Sequence, residues 1–343
     1  LWVVRRLRAG EPVAFLTRIH PFIYRRMGWE LLQMCRDKGV AVTAYGAVSL
    51  TELAGCRAVE GGAPADADAV RVFDIAWLNR HPELLRPVDP TVIYCIGDDK
   101  ERPRLVRLLR RSYPASGGAY LLGGSGDRED QAPWVPWRKL GLSLRLGDIG
   151  CVLYVPAARA KRSPLKAGGA PLVRLHGLGT RVPEETTLET LAALGDSPAA
   201  FAALGAGAPW RRLRALCPGL RRTGSPGSVI AAARRHGEAV VAIPGGALFD
   251  GGFSARLLAA CRKGGVAARV TPSVSPVGSA YARAQFCLGD DYGYQGIAAC
   301  SARRLLSEPD LQTPLLPLVT YGAVGTRLIP PQAAPAVPDP RRP

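Results

Sequence analysis

The chain has 343 residues, a formal net charge of +17 and eight cysteines. Its length suffices for about two domains with a sizeable core. No apolar run approaches the roughly 20 residues of a membrane span, and the apolar stretch before the first arginines is too short for a signal peptide. The cysteines form no CxxC pair, so we expect no metal site. Free buried thiols indicate a reducing, cytoplasmic location. Because the chain starts at Leu1 rather than Met, we expect a fragment or a processed chain.

The first half predicts alternating strands and helices. Short apolar runs predict strands over residues 13–16, 40–44, 69–76, 91–96, 119–122 and 150–156. Helical spacing predicts helices over about 24–38 and 102–113, and a helical turn over 135–140. Residues 123–133 are glycine-rich and predict a loop, and the basic, small residues 157–170 indicate a linker.

The second half repeats this alternation. Strands are predicted over residues 171–180 (entering a Gly-x-Gly turn), 239–243, 266–270 and 314–321. Helices are predicted over residues 185–194, 253–263, 280–288 and 299–307, and in part of 197–218, and residues 229–236 lead into the strand at 239–243. Residues 290–296 predict an acidic turn with tyrosines. The Pro- and Ala-rich residues 329–343 predict a disordered tail.

A repeat links the two halves. Residues 35–41 read CRDKGVA, and residues 261–267 read CRKGGVA, 226 positions later. Val48-Ser49 and Val274-Ser275 keep the same register. A spacing this large exceeds that of solenoid repeats and predicts a duplicated domain.

The second member of this repeat, residues 239–275, reads as strand, glycine turn, helix and strand. The glycine turn stands at the carboxyl end of the first strand. In open parallel sheets ligands bind at this edge, because the strand ends and their loops meet there.

Four segments of the second half follow one another in a familiar order. They read Gly177-Leu178-Gly179-Thr180-Arg181, Pro244-Gly245-Gly246-Ala247-Leu248-Phe249, Pro272-Ser273-Val274-Ser275 and Val319-Thr320-Tyr321-Gly322. They resemble the glycine loop, the Gly-Asp-Pro turn, the Pro-Gly-Val-Ser turn and a later strand of the tetrapyrrole methylase superfamily. These are the class III S-adenosylmethionine-dependent methyltransferases. The family's Leu-Thr helix start is matched by Thr187-Leu188.

The first half resembles the same family from its middle onward. The segments that show this resemblance are residues 18–21 (RIHP), 45–49 (YGAVS), 96–98 (IGD) and 153–156 (LYVP). The motif sequences are most similar to the branch that includes peptide backbone N-methyltransferases of the borosin type. There are departures: the first copy lacks its glycine loop, the second stops before completing its second lobe, and Gly246-Ala247 replaces the usual Asp/Asn-Pro.

The resemblance implies an α/β fold of two tetrapyrrole-methylase-like units, each of two α/β lobes. The first unit lacks its amino-terminal strand and loop, and the second lacks its carboxyl-terminal end. The expected boundaries are 1–156 for copy one, 157–170 for the linker, 171–328 for copy two and 329–343 for the tail. We also expect that the first lobe of copy two could pack with the second lobe of copy one as one composite unit.

The resemblance further implies that S-adenosylmethionine is the cofactor and that the reaction is methyl transfer. The residues expected to bind the cofactor are Gly177, Gly179, Thr180, Pro244, Gly245, Gly246, Ala247, Phe249, Ser273, Ser275, Tyr321 and Gly322. Glycines at strand ends permit close approach of the backbone to a ligand, although they also suit ordinary turns. Ser275 alternatively caps a helix.

Catalytic residues are not assigned. Candidates on the substrate side are Tyr292, Tyr294 and Asp291, with Tyr24 and Arg25 in the first copy. His20 stands at the cofactor-loop position of the first copy and is the one histidine singled out. The expected partner is a small-molecule or peptide substrate, and a homodimer or an internal pseudo-dimer is expected.

Two other function classes stay open. A degenerate methylase fold could serve as a non-catalytic binding or scaffold protein, and the departures in the first copy favour this there. An RNA methyltransferase would suit the charge of +17. Nucleic acid is nevertheless not the favoured partner, because the densest basic cluster, residues 107–111, reads as a solvated helix face.

Overall fold

The computed structural model describes residues 2–17, 20–23, 26–65, 68–95, 99–123, 132–144, 151–165, 169, 171–248, 252–285, 296–308, 318–322 and 325–329. The helices are α1 (Trp2–Arg8), α2 (Arg26–Asp37), α3 (Leu50–Glu60), α4 (Ile75–Arg80), α5 (Glu101–Ser112), α6 (Trp137–Ser143), α7 (Leu188–Asp196), α8 (Ala208–Leu216), α9 (Pro226–His236), α10 (Phe253–Gly264), α11 (Pro276–Ala284) and α12 (Ala302–Ser307). None of these helices is long and apolar enough to span a membrane.

The strands form two sheets in the described part of the chain. They are β1 (Ala69–Asp74), β2 (Thr91–Tyr94), β3 (Gly118–Leu122), β4 (Trp134–Pro136), β5 (Val152–Val155), β6 (Leu172–Gly177), β7 (Ala200–Ala202), β8 (Arg221–Arg222), β9 (Glu238–Ile243), β10 (Ala267–Val270), β11 (Gly296–Ser301), β12 (Leu318–Gly322) and β13 (Gly325–Ile329). The larger sheet is mixed, with the order β13-β12-β11-β1-β2-β5-β3-β4. The smaller is parallel, with the order β10-β6-β9-β7-β8. The architecture is α/β, as expected.

The larger sheet joins strands from both halves of the chain. β1 pairs antiparallel with β11 at this junction. β2 runs parallel to β1 on one side, and β12 runs parallel to β11 on the other. Behind this junction the buried guanidinium of Arg71 lies 3.2 Å from Asp89 Oδ2, and Arg304 of α12 lies 2.7 Å from Asp89 Oδ1. Burial lowers the pKa of Arg71, against the raising effect of Asp89.

The smaller sheet packs against helix α3 and the larger sheet through one continuous apolar core. At this contact Arg262 of α10 donates hydrogen bonds to the carbonyls of Val59 and Ala63. The Val270 N–H donates to Glu60 Oε1 at 2.7 Å. The lobe built by residues 171–270 therefore rests on elements of the first half of the chain.

Local geometry recurs at the spacing of the sequence repeat. Gly39 after α2 and Gly265 after α10 have φ angles of +64° and +65°, a left-handed conformation that ends helices and favours glycine. The next N–H donates to a carbonyl five residues back in both places, from Val40 to Cys35 and from Val266 to Cys261. Ser49 and Ser275 then cap α3 and α11.

Two predicted strands of the first half are not formed. Residues 13–16 and 40–44 lie in irregular extended segments rather than in strands. Their counterparts, β9 and β10, do not pair with each other; each pairs with β6, which lies between them. Because no described strand takes the place of β6 beside residues 13–16 and 40–44, these segments have no ladder to join.

Smaller differences concern boundaries. Residues 135–136 belong to β4 instead of a helical turn, residues 299–301 belong to β11 instead of a helix, and α11 begins at Pro276. β7 and β13 were not predicted, and Ile329 lies in β13 rather than in a tail. The predictions for residues 124–131, 290–295 and 330–343 lie outside the described residues, and the domain boundaries remain predictions.

Candidate functional site

The carboxyl ends of three neighbouring parallel strands meet at one edge of the smaller sheet. β6 ends at Gly177, β9 at Ile243 and β10 at Val270, in the spatial order β10-β6-β9. The loops that follow these strands carry three of the four motif segments. Since such an edge is where open parallel sheets bind ligands, it is the candidate functional site.

The loops after β6 and β9 are hydrogen-bonded to each other. The Gly179 N–H donates to the Gly245 carbonyl at 3.2 Å, and the Gly245 N–H donates to the Gly179 carbonyl at 2.8 Å. The Ala247 N–H donates to Ser273 Oγ at 3.3 Å, which adds the loop after β10. The predicted residues Gly177, Gly179, Gly245, Ala247 and Ser273 are thus brought together.

Close packing of the loops requires glycine at two of these positions. A Cβ on Gly177 would overlap Ser273 Oγ and lie 2.5 Å from the Gly245 carbonyl oxygen. Gly179 has a φ of +78°, and a Cβ there would lie 2.5 Å from Glu185 Cβ. Other protein atoms occupy the space that a side chain would take at each glycine. In this conformation the two glycines therefore allow close packing of the loops.

A buried carboxylate fastens the loop after β6. Glu185 accepts hydrogen bonds from the N–H groups of Thr180 and Arg181, at 3.0 and 3.2 Å, and from the hydroxyls of Thr180 and Ser279, each at 2.7 Å. Burial would raise the pKa of Glu185, but the hydrogen bonds from Ser279, Thr180 and Arg181 outweigh it and lower the pKa. Glu185 therefore stays ionised beside the candidate site.

His20 reaches the neighbouring helix from the first half of the chain. Its Nε2–H donates to the Gly278 carbonyl at 2.8 Å, and its Nδ1 accepts from the Phe22 N–H at 3.2 Å. Burial lowers the pKa of His20 to about 4, although the Gly278 carbonyl and the charge of Glu185 oppose this. The neutral imidazole of His20 therefore links the first half of the chain to helix α11 of the second half.

The other predicted site residues differ in their placement. Pro244 and Gly246 flank Gly245 in the loop after β9, and Pro244 is exposed whereas Gly246 is buried. Ser275 caps α11 and accepts from the Gly278 N–H at 3.1 Å, which is the alternative role considered for it. Tyr321 and Gly322 belong to β12 in the larger sheet, not to this edge. Phe249, Tyr24, Arg25, Asp291, Tyr292 and Tyr294 lie outside the described residues.

Sequence reasoning missed Glu185 and Ser279. The available signal was the pair of acidic residues that follows Pro183, directly before the helix cap Thr187. Carboxylates in this position commonly bind the free N–H groups of a loop or helix start. Ser279 lies one turn into α11 and gave no signal of its own.

The described conformation does not offer a cradle for S-adenosylmethionine. The N–H groups of Gly179, Thr180, Arg181, Gly245 and Ala247 each have a protein acceptor. A cavity between Leu248 and the first-half elements α3, β1, β2 and β5 measures about 20 Å³. Ligand pockets usually measure about 300–1,000 Å³, so this space suits a single water molecule. The residues would have to rearrange to admit the cofactor.

Comparison with known proteins gives partial likenesses. No family model matches the sequence, and no curated protein matches it. A uroporphyrin III C-methyltransferase structure from Thermus thermophilus is 24% identical over 30% of this chain and 44% of its own, with a TM-score of 0.26. A putative diphthine synthase structure from Entamoeba histolytica is 12% identical over 45% of this chain and 62% of its own, with a TM-score of 0.33. This chain thus matches less than two thirds of either structure, and likenesses of this extent carry no argument about function.

Proposed function

We propose that this chain binds S-adenosylmethionine at the carboxyl edge of the smaller sheet and acts as a methyltransferase. The observation that carries the proposal is the meeting of three motif loops at this edge, with Gly179 and Gly245 hydrogen-bonded and Ser273 joined to Ala247. The carboxyl edge of a parallel sheet is the usual ligand-binding position, which supports a cofactor site there.

The residues that would hold the cofactor are Gly179, Thr180, Gly245 and Ala247, through their backbone groups. Bound S-adenosylmethionine would supply an activated methyl group, so that the chain's own task is chiefly alignment of the acceptor. These backbone groups are already hydrogen-bonded within the protein. Binding therefore requires that the hydrogen bonds between Gly179 and Gly245, and those to Glu185, be replaced by hydrogen bonds to the cofactor. The acceptor class we propose is a small molecule or a peptide.

Isothermal titration with S-adenosylmethionine and with its demethylated product tests the proposal. We expect saturable heat and a rise in melting temperature for the unaltered chain. Thr180→Trp should abolish both, because it fills the loop after β6. The control Thr223→Trp alters another half-buried threonine, beyond β8, and should leave both unchanged. Absence of heat and of any thermal shift with the unaltered chain would contradict the proposal.

A second candidate is a non-catalytic protein that keeps the fold alone. The observation in its favour is that Glu185 and the paired glycines satisfy the loop donors without any ligand. The two candidates differ in the titration above, since a scaffold gives neither heat nor a thermal shift.

We also propose that the two halves are copies of one ancestral unit. The matching glycine φ angles at positions 39 and 265 and the matching helix caps Ser49 and Ser275 support this. The antiparallel pairing of β1 with β11, the equivalent strands of the two copies, supports an internal pseudo-dimer.

A further inference from the structure

One buried carboxyl group of the first half has an oxygen without a partner. Glu52 lies in the first turn of α3 and is 4% exposed. Its Oε2 accepts hydrogen bonds from the Ser49 N–H, at 3.1 Å, and from the Ser49 hydroxyl. Its Oε1 is buried and has no hydrogen-bond partner within the described structure. A buried polar atom of this kind costs free energy unless an occupant satisfies it.

Glu52 lines the cavity of about 20 Å³ between α3 and Leu248. The other described lining residues are mainly apolar, namely Thr51, Gly55, Pro64, Ala65, Val70, Val92, Tyr154 and Leu248. The Thr51 hydroxyl is already hydrogen-bonded to the Tyr94 hydroxyl at 3.0 Å. Glu52 Oε1 therefore remains available to an occupant of this cavity, and a few polar groups in an apolar lining are typical of ligand sites.

Leu248 forms the wall of the cavity that belongs to the candidate functional site. It follows Ala247, whose N–H donates to Ser273 Oγ, and its side chain is half-buried. Leu248 also packs against α3, where a Cβ on Gly55 would lie 3.0 Å from Leu248 Cδ1. Glycine within a helix is destabilising, and here it makes room for Leu248. A shift of Leu248 would therefore open the cavity towards the loop after β9.

The chemistry of the cavity favours a neutral occupant. Burial raises the pKa of Glu52, against the lowering effect of the Ser275 and Ser49 hydroxyls. None of the described lining residues is a lysine, an arginine or a histidine, so an anionic group would be buried there without a counter-charge. A hydroxyl group both donates and accepts hydrogen bonds, and it therefore suits Glu52 in either protonation state.

We propose that Glu52 Oε1 binds a neutral, hydroxyl-bearing group of the methyl acceptor, in a pocket that forms when Leu248 moves away from Gly55. This inference rests on the proposed function, because it assigns the acceptor end of the same site. The pocket lies between a loop of the second half and elements of the first half, so that both halves contribute to one site. An acceptor that presents a carboxylate to Glu52 is excluded.

Fluorine NMR of the full chain with 2-fluoroethanol tests the binding group without the natural acceptor. We expect a saturable change in the fluorine signal, with a dissociation constant of about 1–10 mM for a ligand of so few atoms. Fluoroacetate is of similar size but anionic, and at neutral pH it should bind at least about tenfold more weakly. Equal binding of the two probes, or no saturable binding of 2-fluoroethanol, would overturn the proposal.

Variants of the two facing side chains locate the binding. Leu248→Ala should tighten binding of 2-fluoroethanol about threefold or more, because it enlarges the pocket and leaves Glu52 intact. Glu52→Leu should weaken it about tenfold or more, since it removes the acceptor. Glu52→Gln keeps a donor and an acceptor and should bind within about twofold of the unaltered chain. The control Glu189→Leu changes an exposed glutamate in the first turn of α7 and should have no effect.

Two further measurements separate this inference from folding and from the proposed function. Circular dichroism shows whether Glu52→Leu is folded; if it is not, the comparison of the two probes and the gain with Leu248→Ala decide. Titration with S-adenosylmethionine should give the same affinity for Glu52→Leu as for the unaltered chain. A chain that binds 2-fluoroethanol as described but not S-adenosylmethionine would contradict methyl transfer and keep the neutral-ligand site. The reverse result, or binding of 2-fluoroethanol that folded Glu52→Leu leaves unchanged, would show that the assignment of Glu52 is wrong.

Discussion

The amino-terminal segment, residues 2–49, and its counterpart, residues 226–275, carry the same order of elements with different results. Both contain a helix, an extended run, a second helix ended by a left-handed glycine, another extended run and a capping serine. Among the described residues of the two segments, only the counterpart forms strands, because it lies beside β6 and β7. The helices therefore follow from local sequence, whereas the strands need neighbours that a segment cannot supply for itself.

The strongest test of how the halves are joined is Asp89→Ala. The substitution leaves the buried Arg71 and the neighbouring Arg304 without their shared carboxylate. Removal of one member of a buried ion pair typically costs about 3–5 kcal/mol in the free energy of unfolding. Chemical denaturation should show this loss. Glu308→Ala, which removes a carboxylate that is 42% exposed, should cost less than about 1 kcal/mol. Equal losses would mean that the junction is not held by the buried pair.

Matched core truncations compare the two segments directly. Leu257→Ala removes a fully buried side chain from α10 and should cost about 2–5 kcal/mol. Leu31→Ala changes the equivalent, half-buried residue of α2. It should cost about 1 kcal/mol or less, because none of the described strands covers that face. Urea unfolding of both variants measures the difference, and similar costs would refute the idea that the amino-terminal segment lacks a covering strand.

Acid should weaken the amino-terminal segment and the strand β6 beside its counterpart through one buried histidine each. Burial lowers the pKa of His20 to about 4, and burial with the charges of Arg174 and Arg269 does the same for His176 of β6. The unfolded chain binds these protons below about pH 6.5. It therefore holds more protons than the folded chain between about pH 6.5 and pH 4, and stability falls as the pH drops through this window. The loss should reach about 3 kcal/mol for each histidine at most.

Denaturation at several pH values measures this slope. His20→Gln and His176→Gln should each make the slope shallower. His236→Gln, at an exposed position, is the control and should not. A slope unchanged by both buried substitutions would show that other groups set the acid sensitivity.

The smallest effect is expected at the loop contact of the candidate site. Gly177→Ala would push a Cβ into Ser273 and the Gly245 carbonyl, and overpacking of this kind costs about 1–3 kcal/mol. Gly195→Ala meets no atom within 4 Å and lies in helix α7, so it should be neutral or stabilising by up to about 1 kcal/mol. The melting temperatures of the two variants make the comparison. A harmless Gly177→Ala would mean that the loops can separate easily.

Helices with strong local signals were predictable, whereas α1, α3, α4 and α9 were not predicted. The spacing of Leu257 and Cys261, together with the closing glycines, identified α10, and Arg102–Tyr113 gave α5 to within one residue. Residues 299–301 were assigned to a helix because their apolar run is ambiguous by periodicity. Pairing with β1 and β12 makes them a central strand instead.

The candidate site was predictable only in part. The glycines at strand ends followed from sequence, because a parallel sheet gathers its carboxyl ends at one edge. The role of Glu185 did not, since its partner Ser279 lies 94 residues away along the chain. Placement of Tyr321 and Gly322 depended on the strand order of the larger sheet, which no local pattern encodes.

The antiparallel contact between β1 and β11 determines how this part of the protein responds to dilution. In an oligomer, equivalent strands that meet across an interface separate on dilution, and the melting temperature then depends on protein concentration. Here both strands belong to one polypeptide, so each meets the other at a fixed effective concentration set by the connecting chain. Dilution cannot part them, and this contact persists however scarce the protein is in the cell.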